Sequence, residues 1–178
     1  MESHLLLVGY RGSGKSSVGR QIGEILGLSN IDSDDWIEKE AGKSIREIFT
    51  EFGEQYFRDL EAKAIEQIVQ LPIAAIVSLG GGVVLRESNR RLIAVHGRTV
   101  WLKASANLIA ERLANDLSTA ERRPALTQLT NFDEIVSLLE VREPLYQSVA
   151  NFIVTTDHRS VYDIAAEVAS WYSKQHST

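Results

Sequence analysis

Short strand-like segments alternate along this chain with longer stretches of helical period. The segments are LLLV at 5–8, SNID at 29–32, AAIVSL at 74–79, TVWL at 99–102 and FIVT at 152–155. Each is too short for a helix, and together they predict about five strands. Between the first two, Ser16, Val18, Gly19, Ile22, Ile25 and Leu26 space as a helix, with Gly27 placed to end it. From Ser44 to Gln70 the pattern predicts two helices interrupted at Gly53. Ile45, Ile48 and Phe49 form one apolar face, and Phe57, Leu60, Ala64 and Ile68 the other.

Residues 105–115 open on Ser105, a candidate N-cap, and Asn131 to Val149 is periodic despite Pro144. A last helix starts near Ser160, its apolar face made of Val161, Ile164, Ala165, Val168, Trp171 and Tyr172. Strand and helix in alternation imply an α/β chain, a three-layer α/β/α fold around a five-stranded parallel sheet. The segment DLSTAERRPALTQLT at 116–130 is polar and without apolar period, a long loop of the kind that closes over sites. A mobile lid is expected at about 114–127.

Composition narrows the class. A chain of 178 residues fits one domain, 1–178, able to bury a core without disulfides or metal staples. An apolar fraction of 44% and a charged fraction of 24% exclude a disordered or fibrous chain. The net charge of −5 argues against a nucleic-acid surface, which needs clustered surplus Lys and Arg. Cysteine is absent, which removes disulfides, thiolate metal sites and a cysteine nucleophile and is compatible with a reducing cytoplasm. The apolar run before Gly9 is only four residues long, too short for a signal segment or a membrane span. A cytoplasmic monomer acting on small molecules, with no membrane partner, is the expectation. His4, His96, His158 and His176 show no metal-ligand spacing.

The chemistry enters with GYRGSGKS, Gly9 to Ser16, directly after the first strand and opening the first helix. It matches G-x-x-x-x-G-K-[ST], which arises by chance in a chain of this size roughly once in a hundred. Gly9, Gly12 and Gly14 let backbone N–H groups turn inward as an anion nest, and the helix N-terminus adds its positive end. Lys15 can bridge the β- and γ-phosphates of ATP, and the Ser16 hydroxyl can ligate Mg²⁺. A phosphate loop alone leaves switch, motor and kinase open.

A second set of residues suggests an acceptor. In NIDSDDWIE, strand alternation would send Asp32 and Asp34 the same way at the carboxyl edge of the sheet, where open α/β folds bind ligands. Asp32 would then serve Mg²⁺ through water, and Asp34 would accept from a substrate hydroxyl or act as base. A helix N-cap explains one of these carboxylates equally well. Arg58 and Glu61 stand at i, i+3, either as a surface ion pair or at a pocket edge beside Phe57. Arg142 is a second guanidinium, and two such forks converging suit a carboxylate. Arg122 and Arg123, before Pro124, are a solvated basic turn or an arginine finger supplied in cis. In VSLGGGVVL at 77–85, Gly80, Gly81 and Gly82 follow a strand, so bare backbone is expected against the ligand, its N–H groups turned to ligand oxygens.

Taken together, GYRGSGKS, the D-x-D of Asp32 and Asp34, FRDLE at 57–61, SLGGG at 78–82, RPAL at 123–126 and REPLY at 142–146 resemble shikimate kinase over essentially the whole chain. The resemblance implies a P-loop NTPase fold of the nucleoside-monophosphate-kinase type, and transfer of the ATP γ-phosphoryl group to the 3-hydroxyl of shikimate with Mg²⁺. It implies that Gly12, Ser13, Gly14, Lys15, Ser16, Ser17, Arg112 and Arg123 hold the nucleotide, and that Ser16 and Asp32 serve the metal. Asp34, Arg58, Gly80, Gly81, Gly82 and Arg142 would hold shikimate, in helices at about 33–61 and beyond. Lys15, Asp34 and Arg123 would be catalytic. The adenine-loop region around Asp157 matches only loosely, lacking the usual proline. A kinase for another polyol acid, such as gluconate, and a non-catalytic nucleotide-binding module are the alternatives.

Overall fold

The apolar runs are near-continuous rather than alternating because the sheet is covered on both faces. In the computed structural model, which describes residues 3–115 and 131–175, five strands form one sheet. They are β1 (His4–Val8), β2 (Ser29–Asp32), β3 (Ala75–Ser78), β4 (Gly97–Lys103) and β5 (Phe152–Thr155). Their order is β2-β3-β1-β4-β5, every pair parallel. Successive side chains leave β1 on opposite faces, so Leu5 and Leu7 enter one core while Leu6 and Val8 enter the other, all four fully buried.

The helices are α1 (Lys15–Leu26), α2 (Ser33–Ala41), α3 (Ile45–Ile68), α4 (Glu87–His96), α5 (Ala106–Asn115), α6 (Asn131–Val149) and α7 (Val161–Lys174). Val18 and Ile22 of α1 and Ile164, Ala165 and Val168 of α7 pack with Leu5, Leu7 and Ile76 on one face. Ile65 and Ile68 of α3, Ile93 of α4 and Tyr146 of α6 pack with Leu6, Val8 and Val77 on the other. A smaller cluster, Ile37, Ile45, Ile48, Phe57 and Ala64, joins α2 to α3 beside the sheet.

The expected three-layer architecture is present, and the expected break in α3 is real. Gly53 sits at φ 80°, ψ 176°, outside the helical region, so two helical segments meet there at an angle. Ser44 starts α3 with a full capping box, its hydroxyl accepting from Glu47 N–H and its own N–H donating to Glu47. Gly27 ends α1 in the left-handed region, as expected. Two elements differ from expectation. Helix α4 carries ESNRRLIAVH, whose buried positions are only Asn89 and Ile93, too few to give a helical period. Residues 114 and 115 belong to α5 rather than to a loop. The remainder of the expected lid, with Arg122 and Arg123, lies outside the described residues.

Candidate functional site

Three loops leave the carboxyl ends of β1, β2 and β3 side by side, and their residues make the site. The strand order places β1 between β3 and β4, where successive connections depart in opposite directions, the usual position of a ligand crevice.

After β1 the chain turns through Gly9 to Gly14. Gly14, at φ 95°, is the N-cap of α1 in a conformation that side chains rarely adopt, so the loop's backbone can coil ahead of the helix. Ser13 is 1% exposed, and its hydroxyl has no hydrogen-bond partner among the described residues. Lys15 Nζ donates to the carbonyls of Gly9 and Tyr10, each at 2.9 Å, folded over the loop that it belongs to. Ser78 Oγ at the end of β3 donates to the Lys15 carbonyl at 3.2 Å, which ties the loop to the neighbouring strand. Arg112 of α5 donates from Nη1 to the Gly12 carbonyl at 3.1 Å, so its guanidinium lies against the loop. Ser17 is exposed on α1. Asp157, in the loosely matching region, accepts from Ser105 N–H at 3.1 Å at the start of α5. Burial works against its charge, but the Ser105 hydrogen bonds outweigh it and hold the carboxyl below its ordinary range.

After β2, Asp32 combines two roles that the sequence left as alternatives. Its Oδ1 accepts from Asp34 N–H at 3.0 Å as the N-cap of α2, and its Oδ2 accepts from Ser16 Oγ at 2.7 Å. Burial, with Asp34 and Asp35 nearby, pushes its carboxyl above the ordinary carboxylate range against the hydrogen bond from Ser16. The strand-alternation argument for Asp34 does not hold. Helix α2 begins at Ser33, so Asp34 lies in a first helical turn, where its charge is favoured by the helix N-terminus.

After β3 comes the glycine turn. Gly80 N–H is not turned outward as expected: it donates to Ser33 Oγ at 2.9 Å, joining the turn to α2. A Cβ on Gly81 would stand 3.2 Å from Arg11 N and 3.4 Å from Gly9 O, so Gly81 is pressed on the phosphate loop. A Cβ on Gly82 would stand 2.6 Å from Arg58 Cζ, so the glycine makes room for the guanidinium. The expectation that any Cβ here would fill a ligand pocket is thus replaced by two close contacts within the protein.

Arg58 reaches this turn directly, and Arg142 lies on Tyr10 of the phosphate loop, beside Tyr146. Arg58 is 7% exposed, and its Nη1 donates to Glu61 at 2.9 Å while Nη2 donates to Glu54 at 3.0 Å. Burial opposes the guanidinium charge, but buried Glu61 and then Glu54 more than offset it, and the pKa stands above the usual arginine value. Arg142, also 7% exposed, lies with Cζ 5.5 Å from the centre of the Tyr10 ring. Its Nε has no hydrogen-bond partner among the described residues. Tyr146, one turn along α6, donates its hydroxyl to the Gly81 carbonyl, and burial drives its pKa upward against the favourable nearness of Arg142.

Ser33, Glu54, Tyr10 and Tyr146 were not legible as site residues. Ser33 hides among the three aspartates, and the two tyrosines scan as core positions. Among the described residues no cluster of acidic, histidine or cysteine side chains could cage a metal by itself. That suits Mg²⁺, which keeps waters and phosphate oxygens and needs few protein ligands. The donor set of the Ser16 hydroxyl and the Asp32 carboxylate, whose pKa is raised by burial and then by the nearby Asp34 and Asp35, fits such an ion. A separate cavity of about 330 Å³ between α2 and α3, lined among others by Trp36, Phe52 and Tyr56, shares no residue with these groups.

Comparison with known proteins points the same way. The model of the shikimate kinase family matches residues 11–173. A shikimate kinase of Rhodopirellula baltica is 46% identical over 93% of this chain and 88% of its own length. One from Dictyoglomus turgidum is 38% identical, over 94% and 96% respectively. The solved structure of an Acinetobacter baumannii shikimate kinase in complex with shikimate superposes with a TM-score of 0.90 at 28% identity, over 99% of this chain and 96% of that one.

Proposed function

The chain belongs to the shikimate kinase family, and from that premise we propose that it moves the γ-phosphoryl group of ATP to the 3-hydroxyl of shikimate, giving shikimate 3-phosphate. It is an ATP-dependent kinase that phosphorylates shikimate in aromatic biosynthesis. The observation that carries the acceptor reading is that Arg58 packs on the glycine turn at Gly82, while Arg142 packs on Tyr10 of the phosphate loop beside Tyr146, whose hydroxyl bonds the same turn.

Phosphoryl transfer asks a protein mainly to position and to neutralise. The backbone of Gly12 to Gly14, with the Ser13 hydroxyl, cradles the phosphates, Ser17 stands beside them on α1, and Arg112 lies where the base end of the nucleotide would extend. Lys15 leaves the Gly9 and Tyr10 carbonyls for the transferring group. Arg123, outside the described residues, would close over it. Ser16 and Asp32 would hold Mg²⁺, which when bound screens the phosphate charge. Asp34 orients the acceptor hydroxyl and receives its proton. The acceptor carboxylate is held by Arg142 and by the edge of Arg58 now facing Glu54, a half-exposed carboxylate that can yield. Gly80, Gly81 and Gly82 bring the turn's backbone close enough to fix the ring. We place it as a monomer in the cytoplasm; among the described residues no helix is long and apolar enough to cross a membrane.

The test is ADP formation by the purified protein with ATP and Mg²⁺, with and without shikimate. Gluconate-dependent turnover instead, or none on either acid, rejects the proposal.

A further inference from the structure

Arg11 lies inside the phosphate loop, yet neither nucleotide nor metal requires it. Its side chain is only 24% exposed. Arg11 Nη2 is 3.8 Å from Glu134 Oε1, and that carboxylate, on α6, is only 1% exposed. Arg11 Nε is buried with no hydrogen-bond partner among the described residues. Its Cζ lies 5.8 Å from the centre of the Tyr10 ring, the same ring that Arg142 faces at 5.5 Å. Tyr10 itself is 2% exposed, and Gly81 approaches the Arg11 backbone so closely that a Cβ would be 3.2 Å from its nitrogen.

Two guanidiniums beside one ring repel each other, and burial lengthens the reach of that repulsion. Glu134 stands on the same helix as Arg142, two turns earlier, and supplies the opposite charge to Arg11. The pair therefore draws α6 onto the phosphate loop, with Arg142 on the Tyr10 ring and beside Tyr146, whose hydroxyl bonds the glycine turn.

We propose that Arg11 is a positioning residue for the acceptor: its pairing with Glu134 docks α6 on the phosphate loop and so sets Arg142 for the acceptor carboxylate. This rests on the reading of Arg142 as an acceptor-binding residue, so the experiment includes Arg142→Lys as a reference. Steady-state kinetics are measured on Arg11→Met, Glu134→Gln, the double variant, Arg11→Lys and Arg142→Lys. Arg11→Met and Glu134→Gln should each raise the shikimate KM by about 5- to 20-fold with the ATP KM within about 2-fold of the parent. The double variant should be no worse than the poorer single one, and Arg11→Lys should recover much of the loss.

An unchanged shikimate KM in Arg11→Met, an equal rise in the ATP KM, or additive effects in the double variant overturns the inference. If Arg142→Lys leaves the shikimate KM unchanged, the acceptor reading itself falls. Should Arg11→Met fail to fold, Glu134→Gln and Arg11→Lys decide on the same criteria.

Discussion

The guanidinium of Arg58 fills the space in which a side chain at Gly82 would stand: a Cβ there would lie 2.6 Å from Cζ and 2.7 Å from Nη2. Arg58 cannot swing aside freely, because buried Glu61 and Glu54 hold its fork. Gly82→Ala should therefore push the guanidinium off its partners and raise the shikimate KM by about 10- to 100-fold, the worth of a charge-assisted hydrogen bond or two. Gly81→Ala meets the phosphate loop instead, and should raise the KM of ATP as well as that of shikimate. Initial-rate kinetics varying each substrate separate the two patterns; identical profiles for both variants would contradict the contacts.

Breaking the Arg58–Glu61 pair from one side should be costly. Glu61→Ala leaves a buried guanidinium short of its nearest carboxylate and should lose about 3–5 kcal/mol in urea unfolding. Replacing both, as Arg58→Met with Glu61→Met, should recover much of that stability while shikimate affinity stays lost. A single variant as stable as the parent would mean that Glu54 alone suffices.

Asp34→Asn keeps the helix N-terminus and the side-chain shape but removes the carboxylate proposed as base. Its kcat should fall about 10²- to 10⁴-fold, with ATP affinity nearly unchanged by titration. A matching loss of ATP binding would assign Asp34 to the nucleotide instead.

Asp32 makes a prediction about pH. Its folded pKa lies above the unfolded one, so the native state holds the proton more tightly and stability declines as pH rises through the folded value. At neutral pH the charged carboxylate is a burden on the protein free of nucleotide and metal. Asp32→Asn, still a good N-cap, should then melt at a higher temperature than the parent at pH 7, a gain that shrinks as pH falls toward about 4. The same variant should lose activity and Mg²⁺ dependence. A lower melting temperature at pH 7 would show that the hydrogen bonds from Ser16 and Asp34 outweigh the cost of burial.

How far the sequence carried differs from residue to residue. The phosphate loop was legible because its spacing is tied to one function, and the central strands β1 and β3 because parallel strands buried on both faces are almost uniformly apolar, whereas the edge strand β2, SNID, is polar and was legible only from its place between two helical stretches. Helix α4 was not, because a helix pinned by a buried Asn89 side chain donating to the Val83 carbonyl has little apolar face to display. The strand-alternation argument for Asp34 fails because chain direction changes at Ser33, and no local pattern marks where a strand yields to a helix when Asp, Ser and Asp all favour capping. The glycine run was expected to lie bare against a ligand, and the close approaches the structure shows at Gly81 and Gly82 are to the protein itself. What approaches, Arg58 and the phosphate loop, comes from contacts distant in sequence, which periodicity does not encode. Arg11 and Glu134, 123 positions apart, illustrate the same limit.

Lys15 gives the fold one more property. Because its ammonium is already bonded to two carbonyls of its own loop, the loop is cross-braced in the absence of any anion. The arriving nucleotide meets a lysine that already has oxygen partners, and must exchange one set for another. Its association should consequently be governed less by folding of the loop than by how quickly a single side chain changes hands.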